Sequence, residues 1–215
     1  MAADKTYIIA IAGPSCAGKT ETSKSVARLL NARIIGLDSY YRDLSHLDFE
    51  DRTRFNFDEP AALDHELLIE QLRDIAAGKT IYTPVYDFVA HNRTTKAEHV
   101  DPAPFLILEG LFVLYWDDVR KLCDTTVYVD APDDICLQRR RYRDVRERGR
   151  TIDSVMKVYD QIVRPMAAKY VWPTKYLAGL VVSGTESLDH CASQVLDEIA
   201  RKTGRPATAL LTSTS

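Results

Sequence analysis

Short apolar runs alternate with stretches of helical period along most of the chain. Tyr7–Ala12 (YIIAIA) reads as a strand, and Val26, Leu29 and Leu30 follow at the i, i+3, i+4 spacing of a helix that buries one face. Further strands are expected over residues 32–37, 104–108, 125–129 and 179–182. Most are nearly continuous apolar runs, as in strands buried on both faces, so the sheet is predicted to be parallel with helices on either side. Helices are predicted over 61–76, where Pro60 suits the first turn and Gly78 the stop, and over 133–147, 154–170 and 188–202. Residues 80–100 break the alternation. Their β-branched and aromatic residues with polar interruptions predict a β-hairpin standing off the main sheet, well placed to cover a ligand. From Gly204 the chain is rich in Thr, Ser and Ala, and a flexible tail over 204–215 is expected.

With 215 residues, 46% of them hydrophobic and 27% charged, there is material for one domain, placed at 1–203. A formal charge of -3 and a pI near 6.0 argue against a surface built to grip nucleic acid or anionic membrane, leaving room only for a local basic patch. The most apolar stretch, 105–116, is interrupted by Glu109 and Gly110 and falls short of the roughly 18 residues a membrane-spanning helix needs. The first residues lack the basic start and long apolar centre of a signal peptide, so a cytoplasmic protein is expected. Cys16, Cys123, Cys136 and Cys191 form no C-x-x-C pair, which fits reduced thiols better than a disulfide frame or a zinc site.

Chemistry enters at residues 13–20. Gly13, Pro14, Ser15, Cys16, Ala17, Gly18, Lys19 and Thr20 match G-x-x-x-x-G-K-[ST], with a strand before and a helix after. Such a loop closes backbone N–H groups around phosphates. The lysine reaches the β/γ oxygens and the hydroxyl holds Mg²⁺. Glu109 ends the apolar run FLILEG where a second carboxylate is needed for the metal, and Asp38, just beyond the second strand, can share that task or take an acceptor's proton. A GTPase-like switch is disfavoured, since no Asp has Gly three places on and no Asn precedes Lys. Residues 139–150 (RRRYRDVRERGR) carry seven arginines against Asp144 and Glu147, and read as a closing lid that neutralises phosphate charge; a solvated helix and a nucleic-acid contact are the other readings. Asp58, with Tyr86, Phe88 and His91 of the hairpin, could line a pocket for a flat base and its sugar, although an aromatic stripe is more often ordinary packing.

GPSCAGKT, LDSYYRD, NFDEP, YDFVAHNR, LEG, RRRYRDVRERGR and VRPM…PTK stand in the order found in uridine kinase, or uridine-cytidine kinase, and the chain resembles that family over about residues 6–185. The resemblance implies an α/β, three-layer P-loop kinase fold with a central parallel sheet, a β-hairpin insertion at about 80–100 and a helical arginine-rich lid at about 139–170. It implies transfer of the ATP γ-phosphoryl to the 5′-hydroxyl of uridine or cytidine in pyrimidine salvage, with Mg²⁺, and a homotetramer inhibited by pyrimidine triphosphates. Residue by residue, it implies Asp38 as the catalytic carboxylate with Tyr41 beside it, Asp58 on the ribose, Tyr86, Phe88 and His91 around the base, and Arg140 and Arg150 near the nucleoside. Arg143 and Arg148 would join Lys19 on the triphosphate, and Thr20, Glu109 and Asp38 would hold the metal. Val158 departs from the family's glutamine before Tyr159, with Gln161 one turn along as the candidate substitute, and Glu59 replaces a histidine. These departures leave the choice between uridine and cytidine open. Competing readings are a related kinase acting on pantothenate or a sugar phosphate, and a non-catalytic nucleotide- or RNA-binding module.

Overall fold

The computed structural model describes residues 5–211. The chain runs through β1 (Tyr7–Ala12), α1 (Lys19–Leu30), β2 (Arg33–Gly36), α2 (Phe49–Arg54) and α3 (His65–Ala76) into a hairpin of β3 (Ile81–Asp87) and β4 (Asn92–Val100). It continues as β5 (Phe105–Glu109), α4 (Asp117–Leu122), β6 (Thr125–Asp130), α5 (Asp133–Arg148), α6 (Ile152–Val158), the single turn α7 (Arg164–Met166), β7 (Leu180–Ser183), α8 (Leu188–Thr203) and α9 (Ala207–Leu211). Five strands form a sheet in the order β2-β5-β1-β6-β7, with every adjacent pair parallel.

Three layers follow from the alternation of side chains along the central strand. On β1, Ile8, Ala10 and Ala12 pack in one core with Leu68, Leu72 and Ile75 of α3 and Val119 of α4. Ile9 and Ile11 point the other way, into a second core with Val26 and Leu30 of α1 and Val195 and Ile199 of α8. Burying each of these isoleucines stabilises the fold by about 1.5–3 kcal/mol, which is why the central strand shows no polar alternation.

Register then aligns the strand ends. Glu109 pairs with Ile11 on one side and Gly36 on the other. The phosphate loop after Ala12, the turn bearing Asp38 and the carboxylate of Glu109 therefore emerge together at the C-terminal edge of the sheet, where ligands bind in open α/β folds. The hairpin is an antiparallel sheet of its own, with Tyr86 opposite Arg93 and a register shift between Pro84 and Tyr86.

Several elements differ from the sequence expectation. The strand expected over 32–37 stops at Gly36 because Leu37–Tyr40 coils into a 3₁₀ turn. The helix expected from residue 61 begins at His65: Pro60–Ala62 is a separate 3₁₀ turn, and Asp64 caps the helix by accepting from the Leu67 N–H at 3.3 Å. The helix expected over 154–170 starts earlier, capped by Thr151, and is broken by wide π turns at Tyr159–Val163 and Ala167–Val171. These flank Pro165, which has no N–H to give and whose ring crowds the preceding turn. The flexible tail is corrected over 207–211: α9 forms there, with Leu210 buried in the α1/α8 core, while 212–215 lie outside the described residues. Helices α2 and α4 went unread because each is only six residues long and α2 buries none of them. Among the described residues no helix is long and apolar enough to cross a membrane.

Candidate active site

The phosphate loop is shaped by crowding. Gly13 has φ 145° and Gly18 φ 112°, and a Cβ on Gly13 would stand 2.2 Å from the Val129 carbonyl oxygen. At Gly13 the loop and β6 thus meet backbone to backbone. Lys19 opens α1 almost fully buried, and its Nζ donates to the Pro14 carbonyl at 2.9 Å. Burial pushes its pKa down, while Glu109 and Asp38 pull it back toward the charged form. Thr20 Oγ1 donates to Glu109 Oε1 at 3.3 Å and Oε2 at 3.4 Å, so two of the expected metal-binding side chains are already neighbours. The loop is also braced from behind. Arg139 Nη1 donates to the carbonyls of Gly184 (3.0 Å), Ala17 (3.3 Å) and Cys16 (3.4 Å), and a Cβ on Gly184 would lie 1.9 Å from the Ala17 oxygen.

In front of the loop lies a cleft of about 950 Å³. Ser15, Lys19, Thr20 and Glu109 line its phosphate end; Asp38 and every expected acceptor residue, Tyr41, Asp58, Tyr86, Phe88, His91, Arg140 and Arg150, line it too, as do Arg143 and Arg148. Asp38 opens onto this cleft, but protein surrounds it and raises its pKa. Lys19 chiefly opposes that rise, Asp58 adds to it, and Arg148 and Arg143 oppose it further. Burial likewise raises Asp58, against Arg140, Arg150 and Arg143, and Glu109, against Lys19.

The acceptor end is an aromatic box. Phe57 packs edge-on to Tyr41 at 5.1 Å between centroids and stacks on His91 at 5.9 Å. Tyr41 donates its O–H to the Phe57 carbonyl at 3.2 Å. The Tyr86 hydroxyl is buried with no protein partner, and burial pushes its pKa up to about 12. His91 sits at the hairpin tip with φ 49°, where Asp87 accepts from the Val89 and Ala90 N–H groups; burial, then the charges of Arg150 and Arg52, hold its imidazole toward the neutral form. Arg93 fixes the hairpin to the Asp38 turn, donating to the carbonyls of Tyr41 (3.1 Å) and Tyr40 (3.2 Å) and to Asp64 Oδ2 (3.1 Å).

Arg93, Arg139, Gly184 and Phe57 are functional neighbours that sequence reading missed. The signals existed: Arg93 ends YDFVAHNR, Phe57 precedes Asp58, and Gly184 follows a strand. Nothing local gave them partners. Gln161, the candidate replacement for the family glutamine, is exposed and off the cleft wall, which Ser154, Val158 and Ile162 supply instead. Their four-residue spacing puts them on one helix face, and the π turn after Val158 sets which face that is.

For Mg²⁺ the donor set fits. Thr20, Glu109 and Asp38 offer one hydroxyl and two carboxylates, hard oxygens suited to a cation that keeps water and phosphate ligands. Among the described residues no group of three or more His, Cys, Asp or Glu forms a metal cage by itself.

Comparison with known proteins agrees with this geometry. The family model described as phosphoribulokinase/uridine kinase matches residues 8–189. The uridine kinase of Cronobacter sakazakii is 43% identical over 189 residues, covering 83% of this chain and 89% of that one. That of Pasteurella multocida is 42% identical over 182 residues, covering 81% and 84%. Among solved structures, the phosphoribulokinase of Rhodobacter spheroides superposes with a TM-score of 0.63 at 17% identity, over 86% of this chain and 74% of that one, a likeness of fold.

Proposed function

The chain belongs to the phosphoribulokinase/uridine kinase family, and from that premise we propose that it is an ATP-dependent uridine/cytidine kinase, giving UMP or CMP and ADP. One observation carries the reading: a single cleft is lined by Ser15, Lys19 and Thr20 of the phosphate loop, by Asp38, and by Tyr41, Phe57, Asp58, Tyr86 and His91 of the acceptor end.

In this reading the triphosphate lies along residues 13–20, with Lys19, Arg143 and Arg148 balancing the charge that spreads over the transferring phosphoryl. Thr20, Glu109 and Asp38 would hold Mg²⁺, which would supply neutralisation of charge at the phosphate oxygens. Asp58 orients the ribose hydroxyls, and Tyr41, Tyr86, Phe88 and His91, with Arg140 and Arg150, hold the nucleoside. Asp38 accepts the proton of the 5′-hydroxyl as its oxygen attacks in line. The same reading carries a cytoplasmic homotetramer, which light scattering tests for assembly.

ADP release with Mg-ATP, measured across uridine, cytidine, adenosine, guanosine, pantothenate and ribulose 5-phosphate with product masses, tests the activity. Turnover confined to uridine and cytidine is expected. Turnover on another acceptor with silence on both pyrimidine nucleosides overturns the acceptor assignment.

A further inference from the structure

Asp144 lies within the arginine segment of α5 with its side chain wholly buried, and four arginines reach it. Arg143 meets Oδ1 through Nε at 2.9 Å and Nη2 at 2.8 Å, and Arg148 approaches the same oxygen at 3.7 Å. Arg140 Nε at 3.6 Å and Arg150 Nη1 at 3.5 Å approach Oδ2, which has no hydrogen-bond partner. The Arg150 N–H also donates to the Asp144 carbonyl at 3.1 Å, around the turn through Gly149, where φ is 63°. A carboxylate taken out of water needs opposite charge close by, and crowded guanidinium groups need a negative charge to stay together. Without Asp144 the quartet would be a set of mutually repelling cations.

These arginines serve different places. Arg140 donates to Ser15 Oγ of the phosphate loop at 3.2 Å and its charge also acts on Asp58 at the acceptor end, while Arg143 and Arg148 line the cleft and act on Asp38. Arg150 lines the cleft together with Asp58 and His91, and its charge acts on both. One buried carboxylate therefore tethers side chains belonging to both halves of the cleft.

We propose that Asp144 is a positioning residue that couples the two substrates. Resting on the functional reading above, it holds the quartet as one set. A triphosphate that draws Arg143 and Arg148 off Oδ1 leaves the carboxylate to Arg140 and Arg150 at Oδ2, fixing them at the acceptor pocket. Each ligand then tightens the other, and by linkage the two effects are equal.

Calorimetric titration measures this. Uridine is titrated into the full chain with and without a saturating Mg²⁺ complex of a non-hydrolysable ATP analogue, and the order is then reversed. In the wild type each ligand is expected to bind at least about 5-fold tighter in the presence of the other. Asp144→Asn should bring that ratio within 2-fold of unity, with Asp144→Glu restoring part of it. A merely structural role would weaken both affinities and leave the ratio alone. Wild-type ratios within 2-fold of unity, or an Asp144→Asn variant with the wild-type ratio, overturn the proposal. Arg150→Met gives a second arm should the Asp144 variants fail to fold. Losing one arginine strengthens the hold of Asp144 on the rest, so the analogue alone should bind at least about 3-fold weaker, and unchanged affinity overturns the coupling. A wild type that binds the analogue but no nucleoside defeats the functional reading, and the coupling of two substrates falls with it, whereas tight binding of both with ratios near unity defeats the coupling alone.

Discussion

The two ends of the cleft are built by opposite means. At the phosphate end the shape is backbone: Gly13 against Val129, Gly184 against Ala17, and Arg139 binding three carbonyls. At the acceptor end it is side chains from distant segments, Phe57, Tyr86, His91 and Arg150, brought together by the hairpin, the loop before α3 and the turn after α5. A backbone site tolerates no added atom, whereas a side-chain site can be retuned one residue at a time.

Asp38 sits where the two ends meet, so its loss should have the largest effect. Asp38→Asn is expected to lower kcat by about 10² or more while leaving ATP binding and folding intact, read by single-turnover kinetics and analogue titration. Turnover near wild type would remove Asp38 from proton transfer. Gly184→Ala attacks the phosphate end without touching a ligand. Its Cβ must displace backbone, so the melting temperature should fall by the equivalent of about 3 kcal/mol, roughly 6–12 °C for a chain of this size, and the KM for ATP should rise more than that for nucleoside. Arg93→Met does the reverse. It takes the guanidinium away from Asp64 Oδ2 and from the Tyr40 and Tyr41 carbonyls behind the Asp38 turn, and kcat/KM for nucleoside should drop about 10-fold with the KM for ATP little changed. If these two variants shift the same KM, the division between the ends fails.

Much of the phosphate end was legible from the sequence because its chemistry lies on eight consecutive residues between a strand and a helix. Asp38 and Glu109 were legible for a related reason: each closes or follows an apolar strand, and parallel register does the rest. The acceptor end was legible as a set of residues through resemblance, but its construction was not. Arg93 reads as an exposed hairpin arginine until the Tyr40 and Tyr41 carbonyls stand beside it. Asp144 read as a charge offset among seven arginines, because a pattern of charges along a helix does not say which of them is buried. Gln161 looked one turn from Val158, and the π turn at Tyr159–Val163 rotates that expectation away from the cleft.

Two smaller effects sharpen the comparison. The acid limb of kcat/KM should lie above the ordinary carboxylate range. Burial raises Asp38, Glu109 and Asp58 together, so activity is lost as pH falls through those raised values, and the apparent pKa belongs to the cluster. His91, held toward neutral, should add no inflection near pH 6.5. A profile with its acid limb at the value of a free aspartate would contradict this. Val158→Gln puts an amide into the apolar wall and should change the uridine-to-cytidine ratio of kcat/KM by about 3-fold or more, with turnover on the better substrate within about 2-fold of wild type; an unchanged ratio would take this wall out of base discrimination.

Because Ile11, Gly36 and Glu109 share one rung of the sheet, the donor machinery is locked to a fixed chain length through β5, and a single-residue deletion there would turn Glu109 to the opposite face. The hairpin obeys no such constraint. Its strands pair only with each other, but Arg93 and Asn92 tie their inner end to the Asp38 turn and to Leu44, so it is residues 88–91 at the tip that can change without disturbing that rung. New acceptors can thus arise by changes at that tip, with the phosphate chemistry inherited unaltered.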